Sequence, residues 1–201
     1  MTQQSRFTGQ IAGVGSSSGV RIVVGRWADS PLGSFADAMV ERADGHRVLL
    51  APSAQVAEFV AATYTFDEVR VESFTVTDPP DAWAVRSPSL SLSLAIGGRM
   101  PLGRLLCLVP ARVATAPAWT LVTDPVARLV LTGVRTRGAA QVGRREFYAA
   151  TDLCRVTGLS GSFDGRPLGA VAAVTPACRF GFGSTPRTPS VTTLVTTVRE
   201  G

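Results

Sequence analysis

The sequence predicts an α+β protein: a predominantly antiparallel, strongly curved sheet or barrel carrying a few apolar helices. Three observations lead there. Leu90, Leu92, Leu94 and Ile96 alternate with Ser89, Ser91, Ser93 and Ala95, the period of a strand with one apolar face. Asp44-Gly45 and Asp164-Gly165 follow apolar runs, which is the strongest short-range hairpin signal. Helical spacing is confined to two interludes, so strands pair through short turns rather than through repeated helical crossovers.

In chain order, Phe7–Val14 and Val20–Trp27 read as strands separated by the loop Gly15-Ser16-Ser17-Ser18-Gly19. Phe35–Glu41 and Arg47–Ala51 flank the first Asp-Gly turn. Ser53 then caps a helix whose Val56, Phe59, Val60 and Thr63 fall at i, i+3, i+4 and i+7, one apolar face. Phe66–Val76 returns to strand, with Glu68, Arg70 and Glu72 alternating against Val69 and Val71, and Asp78-Pro79-Pro80-Asp81 makes a turn.

Residues 100–131 form the second helical interlude. Leu102, Leu105, Leu106 and Val109 share a helical face that Pro110 ends. Asp124-Pro125 reads as the start of a further helix and Gly133 as its C′ residue. This stretch is apolar on several sides and is expected to pack into a core or over a barrel mouth. Beyond it, Arg144–Thr157 is extended, and Cys178–Phe182 and Val191–Val198 read as closing strands. The expected tally is about ten strands and two to four helices. Residues 1–201 are expected to form a single domain, with a possible subdomain boundary near 99–100 where composition shifts.

Composition excludes several chemistries. All 20 basic residues are arginine, so Schiff-base, PLP and P-loop chemistries lack the lysine each requires. His46 is the single histidine, and Cys107, Cys154 and Cys178 form no CxxC pair, so no metal site is readable and no cofactor is implied. The N-terminus lacks an apolar signal core. Uncharged runs such as Ser87–Gly98 and Pro167–Cys178 hold 12 residues and the longest, Phe7–Val20, holds 14, short of the ~18 that span a bilayer. A cytoplasmic protein without membrane partners is expected.

The net charge of +5 is unevenly placed. Residues 1–100 carry eight Arg against ten Asp and Glu, and residues 101–201 carry twelve against five. A basic half suits an anionic partner. No nucleic-acid motif accompanies it, so a nucleic-acid partner ranks last.

Two motif-like segments are better explained structurally. Gly13-Val14-Gly15-Ser16-Ser17-Ser18-Gly19 resembles both a dinucleotide loop and G-x-S-x-G, but the β-branched Val20-Arg21-Ile22-Val23-Val24 continues as strand, whereas both motifs need a helix there. Asp67, Glu68 and Glu72 read as the wet face of a strand rather than an oxygen-ligand metal site.

The densest polar cluster is Arg135, Arg137, Arg144 and Arg145 with Glu146, Phe147, Tyr148 and Asp152. Guanidinium forks suit carboxylate or phosphate, so Arg135, Arg137, Arg144, Arg145 and Tyr148 are the candidate ligand-binding residues. Glu146 and Asp152 are the candidate catalytic carboxylates.

Four phrases resemble a group of uncharacterised actinobacterial proteins with no assigned activity. They are Trp27-Ala-Asp-Ser-Pro-Leu-Gly-Ser-Phe-Ala-Asp37, Ala62-Thr-Tyr-Thr-Phe-Asp-Glu-Val69, Gly133-Val-Arg-Thr-Arg-Gly138 and Arg179-Phe-Gly-Phe-Gly-Ser-Thr-Pro186. In shape alone, a curved antiparallel sheet with apolar helices is similar to the acetoacetate decarboxylase-like β-cone. That family's decarboxylases use a Schiff-base lysine, which this chain lacks, so the resemblance implies architecture and no activity.

The expectation for function is a curved sheet enclosing an apolar cavity for a small amphipathic anion, its acid group held by the arginines. The alternatives are a lysine-independent enzyme using a carboxylate base with an arginine, and a basic interaction module for an anionic partner. Oligomeric state is not readable from the sequence.

Overall fold

The computed structural model describes residues 3–114, 137–141, 144–181 and 185–200. Its first half runs β1 (Gln3–Ser16), β2 (Arg21–Asp29), β3 (Phe35–Glu41), β4 (Arg47–Ala51), α1 (Ala54–Ala61), β5 (Glu68–Val71), β6 (Thr75–Thr77), β7 (Ala82–Arg86) and β8 (Leu90–Arg99). The second half follows with α2 (Pro101–Leu106), α3 (Ala111–Ala114), β9 (Arg137–Gln141), β10 (Arg144–Phe163), β11 (Arg166–Pro167), β12 (Val171–Ala172) and β13 (Ser190–Glu200).

All the described strands belong to one sheet, with the path β5-β4-β3-β2-β1-β13-β10-β8-β7-β6 and with β9, β11 and β12 paired beside it. The two ends of the chain meet at its centre, where Gln3 stands opposite Glu200 and the ladder continues to Gly13 opposite Ser190. The two edge strands, by contrast, are sequence neighbours. Laid flat, ten strands would be about 43 Å across. Glu72-Ser73-Phe74, which joins the edges, reaches no more than about 14 Å. The sheet therefore has to curl until its edges lie side by side.

The concave side of that curl is the main core. Leu90, Leu92 and Leu94 of β8 pack with Ile22 and Val24 of β2 and with Val48 and Leu50 of β4, all 0–1% exposed. The leucine face of the alternating strand is thus fully buried, while Ser89, Ser91 and Ser93 on its other face are half-buried. At one rim Phe163 lies under the guanidinium groups of Arg42 and Arg70, at 5.6 and 5.7 Å. Both arginines pair with Asp164, Arg42 at 2.7 Å and Arg70 at 2.5 Å. Asp164 (φ 49°) and Gly165 (φ 72°) form the tight turn between β10 and β11, as the Asp-Gly signal predicts.

On the convex side, α1 covers β3 and β4. Ser53 caps it, its hydroxyl accepting from the Val56 N–H at 3.3 Å, and Val56, Ala57 and Val60 pack on Leu49 and Ala51. Next to this layer lies a buried ion pair. Glu41, 0% exposed, meets Arg21 at 2.9 Å and accepts from the backbone N–H and side-chain Nε of Arg179 at 2.8 and 3.0 Å. Burial alone would raise the Glu41 pKa, but the hydrogen bonds from Arg179 and Arg21 outweigh it and hold the carboxyl below its usual value. Burial pushes the neighbouring Cys178 thiol up to about 12.

The structure departs from the expected architecture in several places. The described sheet is mixed: its strands pair antiparallel, as expected, except β4 and β5, which pair in parallel across α1. The 16 residues between these strands hold a helix, and a crossover of that kind returns the chain in the same direction. The expected strand Phe66–Val76 divides into β5 and β6 at residues 72–74, where one sheet edge passes to the other. Cys178–Phe182 is not a strand over its described residues.

The helices after residue 100 are also less core-like than their composition predicts. Leu105 is 63% and Leu108 79% exposed. α2 instead seats its backbone on β10 at Gly103, where a Cβ would stand 2.4 Å from the Leu153 carbonyl oxygen. The helix expected from Asp124 to Gly133 lies outside the described residues. No helix among the described residues is long and apolar enough to cross a membrane.

Candidate functional site

The described residues frame a cleft between α1 and the convex face of β1, β2, β3, β10 and β13, with a cavity of about 50 Å³. That is room for several water molecules or a compact organic group. Strand alternation builds it. While Ile22 and Val24 enter the concave core, Val23, Gly25 and Trp27 face the cleft, and Phe35, Asp37 and Met39 of β3 do the same. Phe7, Trp27, Phe35 and Phe59 form its aromatic wall, with Phe7 5.7 Å from Trp27 and 5.0 Å from Phe59 between ring centres.

Asp37 sits in that wall, 5% exposed. Its Oδ1 accepts from the Trp27 indole N–H at 3.2 Å, and no cationic side chain pairs with it among the described residues. Burial without a counter-charge pushes its pKa up to about 7, and the Trp27 hydrogen bond only partly offsets this. Gly25 is the register partner of Asp37. A Cβ there would fall 2.6 Å from Asp37 Oδ1 and 2.7 Å from Trp27 Nε1, so this acid–indole pair requires glycine beside it.

A second carboxyl enters from β10. Glu146 Oε2 accepts from the Tyr64 hydroxyl at 2.8 Å and from the Tyr148 hydroxyl at 3.1 Å, and the two hydroxyls also touch one another. Two hydroxyl protons thus serve three mutual oxygen contacts while Glu146 is ionised. Burial, and then the Glu146 charge, hold the Tyr64 pKa well above 10, so this phenol stays a donor. Thr196, the register partner of Tyr148, lines the same cleft, and its buried hydroxyl has no hydrogen-bond partner among the described residues. Chemically the cleft combines an apolar body with a carboxyl poised near neutrality, phenolic donors and an unused hydroxyl.

Of the predicted site residues, Glu146 and Tyr148 line the cleft. Asp152 does not: Arg99 holds it in a two-pronged pair at 2.7 and 2.8 Å. Burial raises its pKa, but the Arg99 hydrogen bonds and the Leu153 N–H overcome that and keep it ionised. Arg135 lies outside the described residues. Arg137, Arg144 and Arg145 occupy strand positions opposite Phe147, Glu200 and Arg199 respectively.

The discounted motifs also have their places. Ser17 accepts from the Ala170 N–H at 3.0 Å in the turn between β1 and β2, and no helix follows it. His46 faces Glu68 at 3.2 Å. Asp67 and Glu68 pair with Arg47 and Arg70, and Glu72 accepts from Ser89.

Asp37, Trp27, Tyr64 and Thr196 are the cleft residues that the sequence reading misses. A signal for Asp37 is present: it is the lone charge inside the apolar run Phe35-Ala36-Asp37-Ala38-Met39. Such a charge marks a strand whose second face is also covered.

No protein-family model matches the chain, and no curated protein matches it. Among solved structures, acetoacetate decarboxylase from Legionella pneumophila is similar at a TM-score of 0.42 and 7% identity, over 98% of this chain and 85% of that one. A likeness this loose carries no argument about chemistry.

Proposed function

We propose that the cleft under α1 is a binding site for a compact small molecule with an apolar body and a hydrogen-bonding head. One observation carries this reading: a mostly aromatic and aliphatic cavity into which a few buried polar groups converge, among them a Thr196 hydroxyl that no other described residue partners. Small-ligand sites generally combine these features. Three unpaired cysteines fit a reducing, cytoplasmic setting.

The indole N–H of Trp27 is a built-in reporter, one of only three indoles in the chain. In nitrogen–proton correlation spectra, a library of fragments small enough for the cavity should include members that shift this resonance. Native mass spectrometry of freshly purified protein gives an independent reading of any retained ligand. If no fragment moves the indole signal and no ligand is retained, the binding reading is wrong.

The pKa of Asp37, near 7, favours a second reading, an enzyme using this carboxyl for proton transfer. Glu146, the carboxylate expected from the sequence, faces the same cavity. This reading predicts that a cleft ligand is chemically changed on incubation, and that the Asp37→Asn variant binds it but leaves it unchanged. A ligand recovered intact from the wild-type protein would leave binding alone.

A further inference from the structure

The charge of the ligand follows from the side chains that meet it. Resting on the binding reading above, we propose that the cleft takes a small organic ammonium ion, its head group paired with Asp37 and its alkyl body against the Phe7, Trp27, Phe35 and Phe59 wall. The geometry is one-sided. No arginine or histidine lines the cavity among the described residues. Among the described residues the titratable groups around Asp37 are Tyr64 beyond α1 and Glu146 and Tyr148 of β10, none of which gains positive charge.

Among the described residues Asp37 receives one hydrogen bond, from Trp27, and meets no cation. A buried carboxyl in that condition is the partner an incoming cation completes. Aromatic side chains present electron-rich faces, and an alkylammonium loses less on leaving water when such rings surround it. Thr196 adds a hydroxyl able to accept an N–H bond. A carboxylate ligand would instead meet Asp37 as a like charge.

Three probes sharing one isopropyl body test this: isobutylammonium, isobutanol and isobutyrate. Each is titrated at pH 8 with the Trp27 indole resonance and calorimetry as readouts. The ammonium should bind at least tenfold more tightly than the other two, and Asp37→Asn should remove that preference. The substitution preserves shape and an acceptor for Trp27, and circular dichroism establishes that the variant is folded.

A second measurement needs no variant. Asp37 must ionise to hold the cation, so the affinity of the wild-type protein for isobutylammonium should rise about tenfold from pH 6 to pH 8. The alkylammonium stays protonated throughout that range, and Tyr64 does not titrate in it. Isobutanol binding as tightly as the ammonium overturns the charge assignment and leaves the cleft as a neutral-ligand site. Isobutyrate binding most tightly overturns it in favour of the arginine positions near 135–145. If none of the three moves Trp27, the ammonium proposal fails. The underlying binding reading then stands or falls separately on the broader fragment library.

Discussion

Trp27 Nε1 donates to Asp37 Oδ1 at 3.2 Å between two neighbouring strands, and this single hydrogen bond accompanies a carboxyl that is otherwise desolvated. The pair gives the fold a pH dependence of definite sign. Asp37 has a folded pKa near 7 against an ordinary 3.8, so the folded state binds more protons than the unfolded state between those values. Stability contributed by this group is complete below about pH 4, falls as pH rises to about 7, and changes no further above it.

Urea midpoints at pH 5 and pH 8 should therefore differ in the wild-type protein. The Asp37 contribution reaches at most about 4 kcal/mol. Asp37→Asn should remove it, leaving a variant at least as stable as wild type at pH 8. A wild-type curve whose Asp37-dependent part rises with pH would contradict the assignment.

Gly25→Ala tests the same corner through packing. The new methyl must occupy space within 2.7 Å of both Asp37 and Trp27. Overpacking of this kind costs about 1–3 kcal/mol. Loss of urea stability should accompany a changed Trp27 fluorescence or indole resonance. A neutral result would mean that the acid–indole pair is free to move aside.

The Arg21–Glu41 pair is a second, fully buried dependence of the fold on charge. Glu41→Ala leaves Arg21, whose side chain is 5% exposed, without its anion. Removing one partner of such a buried pair costs about 3–5 kcal/mol. Replacing both, as Arg21→Met with Glu41→Leu, should recover much of that loss by denaturant unfolding. Because the folded pKa of Glu41 is lowered, its contribution is present above the unfolded value of 4.5 and is lost on acidification through the folded one.

Asp164→Asn should be milder. Asparagine tolerates the positive φ of this turn, so the substitution chiefly removes the partner of Arg42 and Arg70. Partly exposed pairs of this sort contribute about 0.5–1 kcal/mol. The difference from wild type should shrink in 1 M salt. A loss of several kcal/mol would mean that the turn itself had failed.

Local rules carried much of the architecture. The Leu90–Ile96 alternation, the two Asp-Gly turns and the Ser53 cap each depend on residues a few positions apart, and all are legible in the chain. The parallel β4–β5 pair and the division at residues 72–74 are not. They follow from closing a curled sheet, a constraint among strands far apart in sequence. β7 passed unread because Trp83 and Val85 alternate over only five residues.

The site was half legible for a similar reason. Glu146 and Tyr148 stood out in a polar cluster on one strand. Their partner Tyr64 comes from 82 residues away, and Asp37 reaches the cleft through hairpin register. Leu105 of α2 shows the opposite failure: helical spacing places it on an apolar face with Leu102, Leu106 and Val109, yet it is exposed while those three are half-buried.

The central β1–β13 pair has a mechanical consequence. Gln3 and Glu200 stand opposite each other, so the outer ends of both strands emerge on the same side of the sheet. The bonds of an antiparallel ladder run across the strands. Tension applied between residues 3 and 200 would therefore load them one at a time, as in opening a zipper, instead of shearing the whole row together. Each broken rung would part the sheet along its midline, separating β1 and its neighbours from β13 and β10. Under tension, the seam that gives way first lies at the heart of the molecule.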